Sequence, residues 1–321
     1  MMPIAPRTQM ERGVRMLRSG FGPRLIGWLA DPEIIEIMLN PDGRLWLDRL
    51  GDGMIATDEI MSPDMAERVI RLVAHHVGAT VHSNSPRLSA ELPEGGERFE
   101  GLVPPIVAAP SFSIRKPAAK IFTLADYVTS SVMTADQAAV LEAAVVSRAN
   151  ILVAGGTGTG KTTLVNALLA EIARSDDRVI LIEDTRELQC SAPNLVALRT
   201  KDGAATLRDL VRCALRLRPD RIPIGEVRGP EALDLIKAWG TGHPGGFGTI
   251  HAGSARGALR RLEQLVQEAV VTVPRALIAE TVNLVAVLVR EGSGRRLAEL
   301  AWIDGLDARG DFRILPQGDR R

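Results

Sequence analysis

Residues 150 to 173 read NILVAGGTGTGKTTLVNALLAEIA, and this stretch decides the fold. Ile151 to Ala154 are a short apolar run of strand type. Gly155 to Thr162 then match G-x-x-x-x-G-K-[S/T] at every fixed position, and Thr163 to Ala173 continue with apolar residues at helical spacing. A strand, a glycine loop and a helix in that order are the setting a phosphate-cradling loop requires. Glycines let the backbone turn so that its amides point inward, and the following helix adds its positive end. The residues expected to hold a nucleoside triphosphate are Gly155, Gly156, Thr157, Gly158, Thr159, Gly160, Lys161, Thr162 and Thr163. Lys161 can reach the β- and γ-phosphates, and the Thr162 hydroxyl can sit on Mg²⁺. A glycine-rich turn that binds nothing is the competing reading, and the complete match in context disfavours it.

Working outward, strands alternate with helices from Ile151 onward. Strands are expected at Val179–Ile182, Arg221–Gly225 and Gly248–His251, and helices at Leu207–Leu217, Pro230–Trp239 and Ser254–Ala269. That alternation implies right-handed βαβ units around a mostly parallel sheet. Asn283 to Leu315 read as strands with turns, so an antiparallel edge is expected. Upstream, a helix over residues 10–30, strands at Ile34–Leu39 and Arg44–Leu50, a helix from Ser62-Pro63 to Val77 and a strand at Ser111–Lys116 suggest a small α+β domain. The turn Asn40-Pro41-Asp42-Gly43 joins its first two strands. The expected division is 1–118 for this domain, 119–133 for a linker and 134–321 for the α/β domain. Thr134 and Gln137 carry the spacing of a reciprocal cap.

The chain has 321 residues, 39 Lys plus Arg and 39 Asp plus Glu, so its formal charge is zero. Aromatic residues are only 3%. Neutral charge and few stacking platforms make direct nucleic-acid binding an unlikely role. Cys190 and Cys213 form no zinc pattern and suit a reduced cytosolic setting. No apolar stretch approaches the ~20 residues of a membrane span. Arg7, Arg12, Arg15 and Arg18 precede no apolar core of a signal peptide; they suggest either a basic helix touching a membrane or partner, or a solvated first helix.

Carboxylates narrow the chemistry. Val179 to Asp184 (VILIED) places Glu183 and Asp184 at the carboxyl end of a strand, the edge where open α/β sheets bind ligands. LRLRPDRIPIGEVR places Glu226 after another apolar run. Either Glu226 or Glu183 could orient the attacking water, or hold Mg²⁺ through water beside Thr162. GTGHPGGFGTIHAG, residues 240–253, is glycine-rich and bracketed by His243 and His251, whose neutral rings could donate to phosphate or accept from water. As metal ligands these two make a weak pattern. Arg115, Arg98 and Arg218 are candidate cations for a transferring phosphoryl group, often supplied by a neighbouring subunit.

The four boxes GGTGTGKT, VILIEDTREL, LRLRPDRIPIGEVRG and TGHPGGFGTIHAGS occur in a fixed order. Together they resemble the traffic ATPases of type II and type IV secretion, pilus assembly and conjugation. The resemblance covers residues 100–270 well and the first domain more loosely. It implies a homo-hexameric ring with a smaller N-terminal domain and a RecA-like P-loop NTPase C-terminal domain, using ATP and Mg²⁺. It further implies that Glu183 lies in an acidic box and Glu226 ends a modified Walker B strand. It assigns His243 and His251 to a histidine box, Arg218 to an RxRPD stretch and Arg115 to an N-domain phosphate contact, with Arg98 a looser match. Pro223 departs from the branched apolar residue usual there and is expected to interrupt or bulge the strand before Glu226. The four-cysteine zinc insert and long N-terminal extension of many relatives are missing, which favours the short conjugation branch.

The expected function is an ATP-hydrolysing motor of a conjugative secretion apparatus. It would sit in the cytoplasm, peripheral to the inner membrane, with inner-membrane secretion proteins and a coupling protein as partners. A pilus assembly or retraction motor, including one for tight-adherence pili, shares the chemistry. A nucleotide-dependent scaffold would bind ATP with negligible turnover. A DNA translocase would need a local basic surface that the global charge does not report.

Overall fold

The computed structural model describes residues 7–117, 121–201, 203–292 and 294–317, with residues 7–13 described by their backbone alone. Residues 118–120, where the expected linker begins, lie outside the described residues. The chain separates into two compact units, Met1–Ala119 and Lys120–Arg321.

The first unit runs α1 (Arg7–Ala30), β1 (Ile34–Leu39), β2 (Arg44–Arg49), β3 (Gly53–Ile60), α2 (Pro63–His76), β4 (Arg87–Glu91), β5 (Arg98–Leu102) and β6 (Ser111–Arg115). Its sheet has the order β3-β2-β1-β6-β5-β4, with all pairings antiparallel among the described residues. Gly43 takes the left-handed conformation that the β1–β2 turn needs, and Asp42 accepts from the Arg44 amide. Ser62 caps α2 through the Met65 amide. The expected first helix is not one rod: Gly22 leaves helical geometry just before Pro23, so α1 is kinked there. β3 was not expected. Gly51-Asp52-Gly53 ends the β2 run as a hairpin turn, and the strand beyond it is an edge, mostly exposed and without an apolar alternation to announce it.

The second unit runs α3 (Leu124–Thr129), α4 (Ala135–Val146), β7 (Ile151–Gly155), α5 (Lys161–Ile172), β8 (Val179–Glu183), β9 (Leu195–Arg199), α6 (Leu207–Ala214), α7 (Glu231–Gly240), β10 (Phe247–Ile250), α8 (Ala255–Gln267), α9 (Arg275–Thr281), β11 (Leu284–Glu291), β12 (Gly294–Leu306) and β13 (Phe312–Pro316). Five strands lie in the order β10-β7-β11-β12-β13, and β8 pairs with β9. Parallel pairing joins β8 to β9, β10 to β7 and β7 to β11, while β12 and β13 form the antiparallel edge. The reciprocal cap of Thr134 and Gln137 is present. β7 is buried on both faces. Leu152 and Ala154 join the core against α6 to α9, and Ile151 and Val153 join the core against α3 to α5. Fully covered faces are what parallel strands with crossover helices require.

Residues 221–224 bridge the two groups of strands through single parallel bridges, Val179 with Arg221, Ile182 with Ile224 and Ile224 with Gly248. A regular strand over Arg221–Gly225 is therefore not formed. On the β8 side, Ile180 donates to the Arg221 carbonyl and Ile182 to the Pro223 carbonyl, at 3.0 Å each, and Gly225 donates back to Ile182 at 2.8 Å. By that alternation a donor toward Ile180 is due at Pro223, and the proline ring has none. The expected interruption is one ladder bond.

Below this segment, Arg221 is 3% exposed and its Nε donates to Asp177 Oδ2 at 2.6 Å, while Arg148 pairs with Oδ1 of the same carboxylate. Burial pushes the Asp177 carboxyl up, but Arg221, Ser175 and Arg148 together outweigh it and hold it below the ordinary aspartate range. A depressed carboxyl stabilises the fold above its unfolded value, and that contribution disappears as pH falls through the folded one. Arg221→Ala is expected to lower unfolding free energy by about 3 kcal/mol at neutral pH, because it removes the buried partner of Asp177 and leaves it only the half-exposed Arg148. The deficit should narrow as pH falls below the ordinary aspartate value, about 3.9, and vanish once pH has passed through the lower folded one. Urea unfolding across pH measures both.

Candidate functional site

β7 delivers Gly155 to the carboxyl edge of the sheet, and the chain turns there. A Cβ at Gly155 would meet the Leu288 carbonyl at 2.7 Å and collide with the Thr159 hydroxyl. Gly158 and Gly160 have φ of 72° and 91°. Gly160 is the N-cap of α5 and supplies no side-chain hydrogen bond, and the first turn carries no acid. The amides at this helix start are thus left for a ligand. Lys161 is 9% exposed, and its Nζ donates to the carbonyls of Gly155 at 3.1 Å and Gly156 at 2.9 Å. A glycine loop, an uncapped helix start and a folded-back lysine fit a polyphosphate in charge and in shape. Gly156, Thr157 and Thr159 form the body of the loop, with the Thr159 hydroxyl on the Gly156 carbonyl at 2.9 Å. Thr162 and Thr163 open α5.

The loop after β8 lies against that helix. Thr162 Oγ1 is 3.3 Å from Glu187 Oε2. Asn166, buried on α5, donates to the Glu187 carbonyl at 3.2 Å and accepts from the Gln189 amide at 2.8 Å. Glu183 is 2% exposed and turns inward, with Oε1 accepting from the amides of Glu187 at 2.9 Å and Leu188 at 2.6 Å. Burial pushes its carboxyl up, against the pull of those two amides. Glu183 therefore shapes the loop that presents Glu187 to the Thr162 hydroxyl. Sequence reasoning singled out Glu183 and passed over Glu187. The available signal was weak: an acid one helical turn beyond Glu183, with no rule for which of the two would turn outward.

Glu226 also stands at the carboxyl edge. Thr249 Oγ1 donates to the Gly225 carbonyl at 2.6 Å, and the Val227 amide donates to the Thr249 carbonyl at 2.9 Å, so β10 fixes the backbone on both sides of Glu226. His251 leaves the end of the same strand, and its Nε2 is 3.0 Å from Glu226 Oε1. Both side chains are half-exposed. With the carboxylate as acceptor, the ring carries its proton on Nε2 and leaves Oε2 of Glu226 available. Asp184 pairs with Arg228 and accepts from Thr200 Oγ1 at 2.9 Å, which closes the flank toward β9.

Three other candidates lie elsewhere. His243 precedes β10, at the amino edge of the sheet, with Nδ1 2.9 Å from the Pro219 carbonyl. It and His251 are at opposite ends of one strand, so within a single chain they share no metal or phosphate. Arg218 is exposed at that same amino edge, with φ of 54°. Arg115 ends β6 in the first unit, exposed and flanked in register by Glu36 and Arg98.

The clamp at Asn166 and Glu183 can be tested separately. Asn166→Ala should cost about 1–3 kcal/mol, since it leaves the Gln189 amide without its acceptor. It should also speed hydrogen exchange over residues 184–189. Glu183→Gln keeps one oxygen for the two amides and removes a charge that burial disfavours, so at pH 7 its melting temperature should stay within a few degrees of the parent.

The profile of the family described as "Type II/IV secretion system protein" matches residues 54–298. The conjugal transfer protein TrbB of Rhizobium radiobacter is 51% identical over 296 residues, covering 92% of this chain and 91% of that protein. The type IV secretion system protein PtlH of Bordetella pertussis is 34% identical over 319 residues, covering 88% of this chain and 94% of its own. Among solved structures, the pilus retraction motor PilT with bound ADP superposes with a TM-score of 0.62 at 20% identity, over 92% of this chain and 83% of that one. The ATPase DotB of Legionella pneumophila gives 0.59 at 20%, over 92% and 81%. These two support the RecA-like fold of the second unit with a domain before it. With a nucleotide loop, an acid–imidazole pair and a profile match over most of its length, the chain belongs to the type II/IV secretion system protein family and is an ATPase.

Proposed function

We propose that this ATPase hydrolyses ATP with Mg²⁺ to power a conjugative type IV secretion apparatus. In this reading it works as a homo-hexameric ring on the cytoplasmic face of the inner membrane. The observation that carries the chemistry is the convergence at one sheet edge: Lys161 on an uncapped helix start, Thr162 facing Glu187, and Glu226 paired with His251. The conjugative role is supported by the relative named for conjugal transfer that matches over 92% of the chain. Among the described residues no helix is long and apolar enough to cross a membrane, so the inner-membrane secretion proteins and coupling protein are proposed as docking partners.

In the proposed mechanism Lys161 exchanges its loop carbonyls for phosphate oxygens, and the loop amides bind the same group. Thr162, with Glu187 beside it, is the position that would hold Mg²⁺, and Glu226 reaches it through water. The metal, when bound, neutralises charge on the phosphates. Oε2 of Glu226 orients the attacking water and accepts its proton, while His251 Nε2–H holds Oε1 and fixes the carboxylate plane. Fixed positive charge for the transferring group is assigned to Arg218 and Arg115 of neighbouring subunits, and His243 to the same subunit boundary. Held at several points, a phosphate that leaves changes which contacts the subunits share, and this is how turnover would become motion.

Glu226→Gln should reduce kcat for phosphate release by roughly 10²–10⁴-fold while ADP affinity stays within about twofold. Lys161→Ala should abolish nucleotide binding, and both variants should fail to support plasmid transfer in a mating assay. Full turnover by Glu226→Gln would refute the assignment of the base. Normal transfer with dead ATPase would refute the conjugative role. Light-scattering mass with ATP and Mg²⁺ tests the ring.

A further inference from the structure

The hairpin of β11 and β12 overhangs the phosphate loop. β11 pairs in parallel with β7, with Leu288 opposite Gly155, so Val289 to Glu291 continue past the end of β7. β12 returns with Arg295 opposite Arg290 and Arg296 opposite Val289. The sheet order puts this hairpin on one side of β7 and β10, with His251 and its partner Glu226, on the other. The loop lies between them.

Of the arginines at this tip, Arg296 is paired with Glu291, Nε to Oε2 at 2.8 Å. Arg295 differs. Its Nε donates to the Gly158 carbonyl at 3.3 Å, and among the described residues no carboxylate pairs with it. A Cβ on Gly160 would lie 3.3 Å from Arg295 Cδ and 3.9 Å from Nη1. The side chain thus lies along the loop from Gly158 to Gly160, and its two Nη groups keep donors that no described residue accepts. An arginine laid over an anion cradle, with spare donors in a planar fork, has the geometry for bridging phosphate oxygens.

We propose that Arg295 binds the nucleotide in cis, donating to the α- and β-phosphate oxygens on the flank away from Glu226. This rests on the reading that the loop holds the nucleotide. Cleavage of the terminal phosphoryl group is assigned to the opposite flank, so the contact of Arg295 changes little between ground state and transition state. Interactions of equal strength in both set KM and leave kcat alone. ATP and ADP share the contacted phosphates and should depend on Arg295 equally. The nucleobase does not enter into it.

The test uses the full chain carrying Arg295→Met, which keeps the aliphatic packing on Gly160 and removes charge and donors. ADP affinity and KM for ATP should each worsen about tenfold, with kcat within twofold and the ligand-free melting temperature unchanged. Pyrophosphate should lose affinity by the same factor, and adenosine by none. Arg296→Ala, on the same hairpin, should bind ADP as the parent does. Parental ADP affinity in Arg295→Met would overturn the assignment. So would a loss for ADP without one for pyrophosphate, or a fall in kcat at constant KM. Lys161→Ala is measured beside it. If Lys161→Ala binds ADP normally, the nucleotide site itself is misplaced. If it does not and Arg295→Met does, only the role of Arg295 fails.

Discussion

A lysine at the first position of a helix opposes the helix's own field. The start of a helix carries roughly half a positive charge, and a cation there is disfavoured by about 0.3–1 kcal/mol when exposed, more when covered. Lys161 opens α5, is 9% exposed, and follows a glycine that offers no cap. Elsewhere in the chain Ser62, Thr123, Thr134, Thr206 and Ser254 each place a hydroxyl on the first turn. At α5 the loop carbonyls of Gly155 and Gly156 offset the cation instead. A polyanion satisfies the lysine and the orphan amides at once. The rest of the second unit sets groups around that charge.

Those groups are held with different stiffness. The acidic loop is clamped from inside: Asn166 grips it at two points and Glu183 is buried beneath it. The Glu226–His251 pair is half-exposed and stays open to water, which suits the water-activating role proposed for it. Buried polar groups with all partners present rigidify a structure, and exposed pairs contribute little to stability. The clamped element suits placing a metal ligand, and the open one suits proton transfer.

Much of this was legible in the sequence, for identifiable reasons. β7, its loop and α5 declare themselves because the local pattern and the global role coincide. The caps at Ser62 and Thr134 were legible because a cap is a contact three residues long. Edge strands β3 and β9 were not, since an edge buries too little to need an apolar alternation. The side chains that matter by direction were hidden as well. Glu183 and Glu187 are both acids after one strand, and only the packing of Asn166 decides that the first turns in and the second out. Arg295 lies 137 residues from the carbonyl it touches, beyond any local rule. His243 and His251 looked like one cluster because eight residues separate them, yet a strand of full length between them puts them at opposite edges.

Pro223 is the sharpest case of a local conflict resolved by geometry. A proline three residues before Glu226, in a central strand position, threatens the placement of the one acid that most needs placing. The donor it lacks faces Ile180, on the β8 side. The other side is intact: Ile224 donates to the Phe247 carbonyl at 2.7 Å and Val227 to that of Thr249 at 2.9 Å, with the Thr249 hydroxyl on the Gly225 carbonyl between them. Those bonds all come from β10, the strand that ends in His251. Glu226 and His251 are therefore positioned by the same pair of backbones, and the distance between them is insulated from the flank that the proline weakens. What the proline loosens is the attachment of β8 and its acidic loop to this pair. That seam runs between Glu187, the acid proposed for the metal side, and Glu226, the acid proposed for the water side, and the bonds that set each of them lie away from it.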